Sequence, residues 1–355
     1  MASVHKVWIV TTTALRCAQA KLIVTKSAHA NSPIIVRLPN WVGDVCMSLP
    51  CLKALSLTGH PLIVCARAWA EDLVKEYAPQ HFIAVSGNFR SDYRSIKNLT
   101  AATRHSALGL VLPDSLSSAA LFRFAGIKSI GYRDDGRSLL LRWPVKKPDH
   151  SIHAAEKWWL LTRQALLTWH IQSPLLAHAH AETPMVTLTT SAQDLDVAQT
   201  NLIAHGLTPR NFVLLAPTAT GTHHGKVKVW PYFAELARLL RSEGTAVAMC
   251  PPPQEREQAK RACPDTTLLD PLSLRQFCAL TQLSSLVVCN DSGVSHLAAV
   301  ADAQQLTLFG VTDPSITAAR SAQAERLGTN GCWPDLHEVF AKVRQMLAKS
   351  QNIDQ

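Results

Sequence analysis

The sequence predicts an α/β protein of two doubly wound parallel-sheet domains facing each other across a cleft. Three observations predict it. The chain has 355 residues, too many for one ordinary α/β core and well suited to two. Short β-rich apolar runs alternate with amphipathic stretches in two successive series, the sequence form of repeated βαβ units. Between the series lies Leu175–Pro184, rich in His, Ala and Pro, which reads as a connection. The expected organisation is an extension over 1–32, a first domain over 33–174, a linker over 175–186 and a second domain over 187–355.

In the first series Ile34–Leu38 reads as a strand, followed by the loop from Pro39 to Asp44 and a helix through Leu55. Further strands are expected at Pro61–Ala66, His81–Val85, Ala107–Leu112 and Lys128–Gly131, and a long helix at 151–170 closes this half. Some of these runs are continuously apolar, as in parallel strands covered on both faces. The second series places strands at Phe212–Ala216, Ala246–Cys250, Thr267–Leu269, Leu286–Cys289 and Leu306–Phe309.

Residues 1–32 need separate treatment. An apolar Val7–Val10 and Ala28-His29-Ala30 imitate a secretory signal, but Arg16, Lys21 and Lys26 fall before the supposed cleavage site. A signal carries its charge ahead of the apolar centre, so the segment is expected to be a poorly ordered extension. No run of 18 apolar residues appears, so no membrane-spanning helix is expected. Nine cysteines, an odd number with no CxxC pair, several of them inside apolar strands, indicate reduced core thiols in a cytoplasmic protein.

Charge is unevenly placed. Residues 1–160 hold 20 Lys and Arg against 10 Asp and Glu, a surplus of +10, whereas 161–355 sum to −1. Such asymmetry suits a first domain that meets a polyanion: nucleic acid, an anionic membrane face or a phosphorylated substrate. A generally basic soluble surface is the plainer alternative.

Ligands of doubly wound sheets bind beyond the carboxyl ends of the strands, so the loops that follow strands carry the candidates. The first is Asn40-Trp41-Val42-Gly43-Asp44, where Asp44 is placed to take a proton from a hydroxyl or, as residue type alone favours, to cap the helix. The second is Thr218–Pro231, whose small residues, Lys226 and Lys228 suit a phosphate-wrapping loop without P-loop spacing, with Pro231 fit for the first helical turn. His223 and His224 there lack partner ligands and read as solvated. The third is Asn290–His296, where Ser292 and Gly293 begin a helix suited to a diphosphate and Asp291 suits sugar hydroxyls. Helix capping by Asp291 and simple packing of His296 are the alternatives.

Four segments in order, IIVRLPNWVGDVCMSLPCLKAL, LVLPDSLSSAALFRFAGIKSIGYRDDGRSLLL, KVWP and CNDSGVSHLAA, resemble glycosyltransferase family 9, spread over roughly residues 33 to 345. PNWVGD followed by MSLP is most similar to the heptosyltransferase II branch. The resemblance implies the GT-B architecture, two Rossmann-like domains with acceptor on the first and nucleotide sugar on the second. It implies inverting transfer of heptose from ADP-heptose to the phosphorylated lipid A-core of lipopolysaccharide, at the inner face of the inner membrane, with no cofactor and no metal. By motif match the catalytic base is Asp44. The donor and phosphate residues are Thr218, Lys228, Asp291, Ser292, Gly293 and His296, with Glu255 at the ribose. Asn40, Trp41, Arg133 and Arg137 fall to the acceptor. This sequence departs from the family where His223, His224 and Gly225 intervene before the lysine, and where Pro251-Pro252-Pro253 precedes Glu255. A sugar-nucleotide epimerase of the same architecture has no use for the basic half. A nucleic-acid-binding protein would need stacking platforms or a recognition helix, and neither pattern is present, so nucleic acid is not expected as a partner.

Overall fold

The computed structural model describes residues 31–353 except 104, 177–181, 220–221 and 224. The expected extension therefore lies outside the described residues up to residue 30, as does part of the expected linker.

The first sheet comprises β1 (Ile34–Arg37), β2 (Leu62–Ala66), β3 (His81–Ala84), β4 (Leu108–Val111), β5 (Lys128–Tyr132) and β6 (Trp143–Val145). A short antiparallel hairpin, β8 (Thr222–His223) and β9 (Lys226–Val227), follows β7 (Phe212–Ala216). The second sheet continues with β10 (Ala246–Met249), β11 (Thr267–Leu268), β12 (Leu286–Asn290), β13 (Gln305–Leu308) and β14 (Ala324–Leu327).

Both sheets are wholly parallel, in the orders β3-β2-β1-β4-β5-β6 and β11-β10-β7-β12-β13-β14. Counting the strands within each sheet, both follow the order 3-2-1-4-5-6, so this is the expected pair of doubly wound units. The strands β1, β2, β4, β12 and β13 are buried along their whole length, which is why most of them read as apolar runs; β13 buries Gln305 and Thr307 as well. Strands β6 and β14 were not expected from the sequence. Each is an edge strand with a half-exposed pattern, and Pro144 is tolerated in β6 because an edge strand can leave one ladder position unpaired.

Chain order reverses between β1 and β4 in one sheet and between β7 and β12 in the other. The crevices beyond the carboxyl ends of these strand pairs face each other. Two helices start there, Val42–Ser56 after β1 and Gly293–Val300 after β12. They meet closely. A β-carbon on Gly293 would lie 3.0 Å from Cβ of Val42. One apolar cluster runs from Ile34 and Leu55 through to Phe277 and Cys289, so buried side chains join the two halves.

A polar tie also joins them. The backbone N–H of Arg275 donates to Asp72 at 2.8 Å, and its buried guanidinium reaches Glu76 at 3.3 Å, Asp194 at 3.6 Å and the Thr189 carbonyl. The eight cysteines among the described residues are free, and all but Cys332 are buried. Among the described residues no helix is long and apolar enough to cross a membrane.

Candidate active site

The loop after β1 is shaped by Arg37. Its guanidinium donates to the carbonyls of Leu38 and Cys65 and, at 2.5 Å, to the side-chain oxygen of Asn40. Asn40 thus pins the loop from the protein side, while Trp41 projects with 63 % of its surface exposed. The helix begins at Val42 with Trp41 at the N-cap and no side-chain cap, so Asp44 stands in the first turn and does not cap it. Its carboxylate is left for the cleft.

That cleft has a volume of about 420 Å³. Trp41, Gly43 and Asp44 line it from the first half, and Thr218, Lys228, Glu255, Asp291, Ser292, Gly293 and His296 from the second. Nine of the twelve site residues expected from sequence line this cleft: Trp41, Asp44, Thr218, Lys228, Glu255, Asp291, Ser292, Gly293 and His296. Arg133 and Arg137 do not line the cleft, and Asn40 serves the loop.

Burial is the largest influence on Asp44 and raises its pKa to about 6. Lys157 and Lys228 pull it back down, and the Asp291 carboxylate across the cleft pushes it up. A carboxylate at about 6 is ionised at neutral pH yet far more basic than an exposed aspartate, which is what a general base requires.

Lys228 is held by the residues after it. Trp230 is fully buried, its N–H donates to the side chain of Asn290 at 2.8 Å, and its indole N–H donates to the Pro334 carbonyl at 2.8 Å. Asn290 in turn donates to the Ala216 carbonyl at 3.3 Å, locking the loop to the ends of β7 and β12. Lys228 therefore reaches the cleft, with Nζ 3.9 Å from Asp291, whereas Lys226 is exposed in the hairpin. Pro231 lies ahead of its expected place: the next helix opens at Phe233 with Tyr232 at the N-cap, because the buried Trp230 holds this stretch in a turn.

Asp291 does not cap its helix either; Ser292 occupies the N-cap. The Asp291 carboxylate accepts from Thr312 at 2.5 Å and Thr317 at 3.1 Å. The Ser292 hydroxyl is buried without a partner among the described residues, at the mouth of the free N–H groups of the Gly293–Val300 helix. Thr218 donates to Glu255 at 2.5 Å, so these two expected donor residues work as a pair. His296 is buried, and burial lowers its pKa to about 4. It stands in the cleft as a neutral ring.

Sequence reasoning missed several cleft residues. Thr317 lines the cleft and, with the buried Thr312 behind it, orients Asp291 from beyond β13, and Cys250, Pro252, Leu272 and Phe277 form an apolar wall beyond β10 and β11. It also missed a charged cluster beyond β4, β5 and β6. Asp114 meets Arg137 at 3.3 Å, Lys147 at 3.0 Å and Lys157 at 3.3 Å, and Asp134 meets Lys147 at 2.8 Å. Despite burial, these cations hold Asp114 below the usual carboxylate range. Arg137 is fully buried within this cluster and also donates to the Pro113 carbonyl at 3.1 Å, so its guanidinium is committed internally. Arg133 is exposed.

The family model for glycosyltransferase family 9 (heptosyltransferase) matches residues 98–343, more than half of the chain. The chain belongs to glycosyltransferase family 9. This glycosyltransferase is 26 % identical over 321 residues to lipooligosaccharide heptosyltransferase 2 of Haemophilus influenzae, covering 82 % of this chain and 87 % of that one. Its fold is similar to that of ADP-heptose lipopolysaccharide heptosyltransferase II of Escherichia coli, with a TM-score of 0.69 at 23 % identity, over 90 % of this chain and 99 % of that one. The E. coli heptosyltransferase WaaC with ADP aligns at a TM-score of 0.63 and 21 % identity, over 90 % of this chain and 99 % of that one. The expected GT-B fold is therefore the one this glycosyltransferase has.

Proposed function

We propose that this glycosyltransferase moves heptose from ADP-heptose onto the inner core of lipopolysaccharide, in one inverting step. The observation that carries the reading is the convergence of Asp44 from the first switch point with Lys228, Asp291 and Ser292 from the second in one cleft. The names of the related proteins supply the sugar and the acceptor class.

The acceptor sugar lies against Trp41, with its hydroxyl at Asp44. The hydroxyl oxygen attacks the anomeric carbon, the bond from that carbon to the β-phosphate oxygen breaks, and the proton passes to Asp44. An oxocarbenium-like transition state is expected, as in glycoside hydrolysis. Negative charge grows on departing ADP and is offset by Lys228 and by the helix N-terminus at Ser292 and Gly293. Asp291, oriented by Thr312 and Thr317, holds sugar hydroxyls. Thr218 and Glu255 lie at the ribose and the apolar wall takes the base. Arg133, exposed on the first half, meets the phosphates of the lipid A-core. The site of action is the cytoplasmic face of the inner membrane.

Incubation with ADP-heptose and a heptose-deficient core acceptor, read by mass spectrometry, tests this. A product heavier by one heptose is expected. Transfer from other nucleotide sugars but not from ADP-heptose would overturn the donor assignment.

A further inference from the structure

The Phe89–Leu99 and Leu116–Phe124 helices pack together on the first sheet and carry a feature the transfer reaction does not use. Phe89 and Phe124 meet edge to face on the surface, with ring centroids 6.2 Å apart. Phe124 is 61 % exposed, Phe89 38 % and Leu116, eight residues before Phe124 on the same helix, 52 %. Exposed aromatics in contact with each other rather than with the core are uncommon on a soluble surface and mark a site of interaction.

The charge around them has one sign. Arg90, Arg94, Lys97, Arg123 and Lys128 are exposed, and among the described residues none makes an ion pair with a carboxylate. The two acids of this stretch are occupied. Asp92 is buried and accepts from the N–H groups of Ser86 and Gly87 at 2.8 and 2.9 Å, and Asp114 is held by its three cations. The surface therefore combines two touching rings with unneutralised guanidinium and ammonium groups.

We infer that this two-helix face docks on an anionic lipid bilayer, with Phe89 and Phe124 entering the headgroup region and Arg90, Arg94 and Arg123 meeting lipid phosphates. Aromatic rings suit the membrane–water interface, and each basic residue near an anionic surface adds attraction that fades within a Debye length. Charge complementarity favours lipid over a protein partner, because every exposed charge on the face is positive. The inference gives a location to the membrane contact proposed above. It does not depend on the roles of Asp44 or Lys228.

Co-sedimentation with phosphatidylglycerol-containing vesicles, compared with phosphatidylcholine alone, tests it on the full chain. The protein should bind the anionic vesicles, less so as salt rises, and bind the neutral ones weakly. Phe89→Ser with Phe124→Ser, and separately Arg90→Gln, Arg94→Gln and Arg123→Gln together, should each reduce binding roughly tenfold or more. Arg238→Gln on the second half should leave it unchanged. Transfer to a soluble, lipid-free acceptor should be normal in all of them, which separates failure of this inference from failure of the transferase reading. The arginine variant keeps the test valid if the phenylalanine variant folds poorly. Binding to anionic vesicles undiminished in the arginine variant would overturn the inference. So would a mass by light scattering that shows the face joining two copies of the chain.

Discussion

Gly43 and His296 stand face to face where the two halves meet: a β-carbon on residue 43 would lie 2.6 Å from the imidazole Cδ2. The contact sets how closely the Val42–Ser56 helix approaches the Gly293–Val300 helix. Gly43 is needed here for space, since the ring behind it is buried and cannot swing away freely.

Gly43→Ala is therefore expected to destabilise the protein by about 1–3 kcal/mol, the usual penalty of overpacking. His296→Ala in the same chain should recover part of that loss. Chemical denaturation of the single and double variants checks this, and an unchanged midpoint for Gly43→Ala would contradict the contact.

The pH dependence follows from Asp44. A base acts when deprotonated, and the Asp44 pKa is raised to about 6 with burial as its largest cause, so single-turnover rates should fall as pH drops through about 6. Lys157 is the strongest of the charges that lower this pKa. Lys157→Met should move the acidic limb to higher pH, whereas Lys157→Arg should hold it nearer its original place. A limb that does not move in the methionine variant would remove Lys157 from the account.

The two lysines of the Thr218–Pro231 loop should separate cleanly. Lys228→Ala should weaken ADP binding, by the loss of a charge-assisted contact of roughly 1.5–3 kcal/mol. It should slow single turnover as well, because charge on ADP grows in the transition state. Lys226→Ala, exposed in the hairpin, should change both little. Calorimetric titration of ADP into each variant decides, and a larger effect at Lys226 would mean that the loop is wrongly placed.

Arg133 and Arg137 are expected to differ in kind. Arg137→Met strips a fully buried guanidinium from Asp114 and the Pro113 carbonyl and should destabilise the fold by roughly 1.5–3 kcal/mol. Arg133→Gln, at an exposed position, should leave stability alone and raise the acceptor KM most at low salt. Melting curves beside acceptor titrations at two salt concentrations distinguish them.

These contrasts show where the sequence was legible. Strands buried on both faces, such as Ile34–Arg37 and Leu286–Asn290, announce themselves as apolar runs, and the loops after them can be located from that alone. The strand Trp143–Val145 does not, because it is three residues long, half-exposed and interrupted by Pro144. The cleft positions of Asp44, Lys228 and Asp291 are legible because each lies in a short motif after a strand. Thr312, Thr317 and Lys157 were not, because their roles come from tertiary approach of segments far apart in the chain. Arg137 shows the converse error. A basic stretch reads as a uniformly exposed surface, yet one of its arginines is consumed internally by Asp114 and Asp134.

The central claim is that Asp44 is the base for transfer, and single-turnover kinetics of Asp44→Asn test it most directly. With ADP-heptose and the core acceptor, the account predicts a rate lower by about 10²–10⁴, typical of general-base removal. ADP affinity and melting temperature should stay close to the parent's. A folded Asp44→Asn protein that transfers heptose at a near-normal rate would contradict the account.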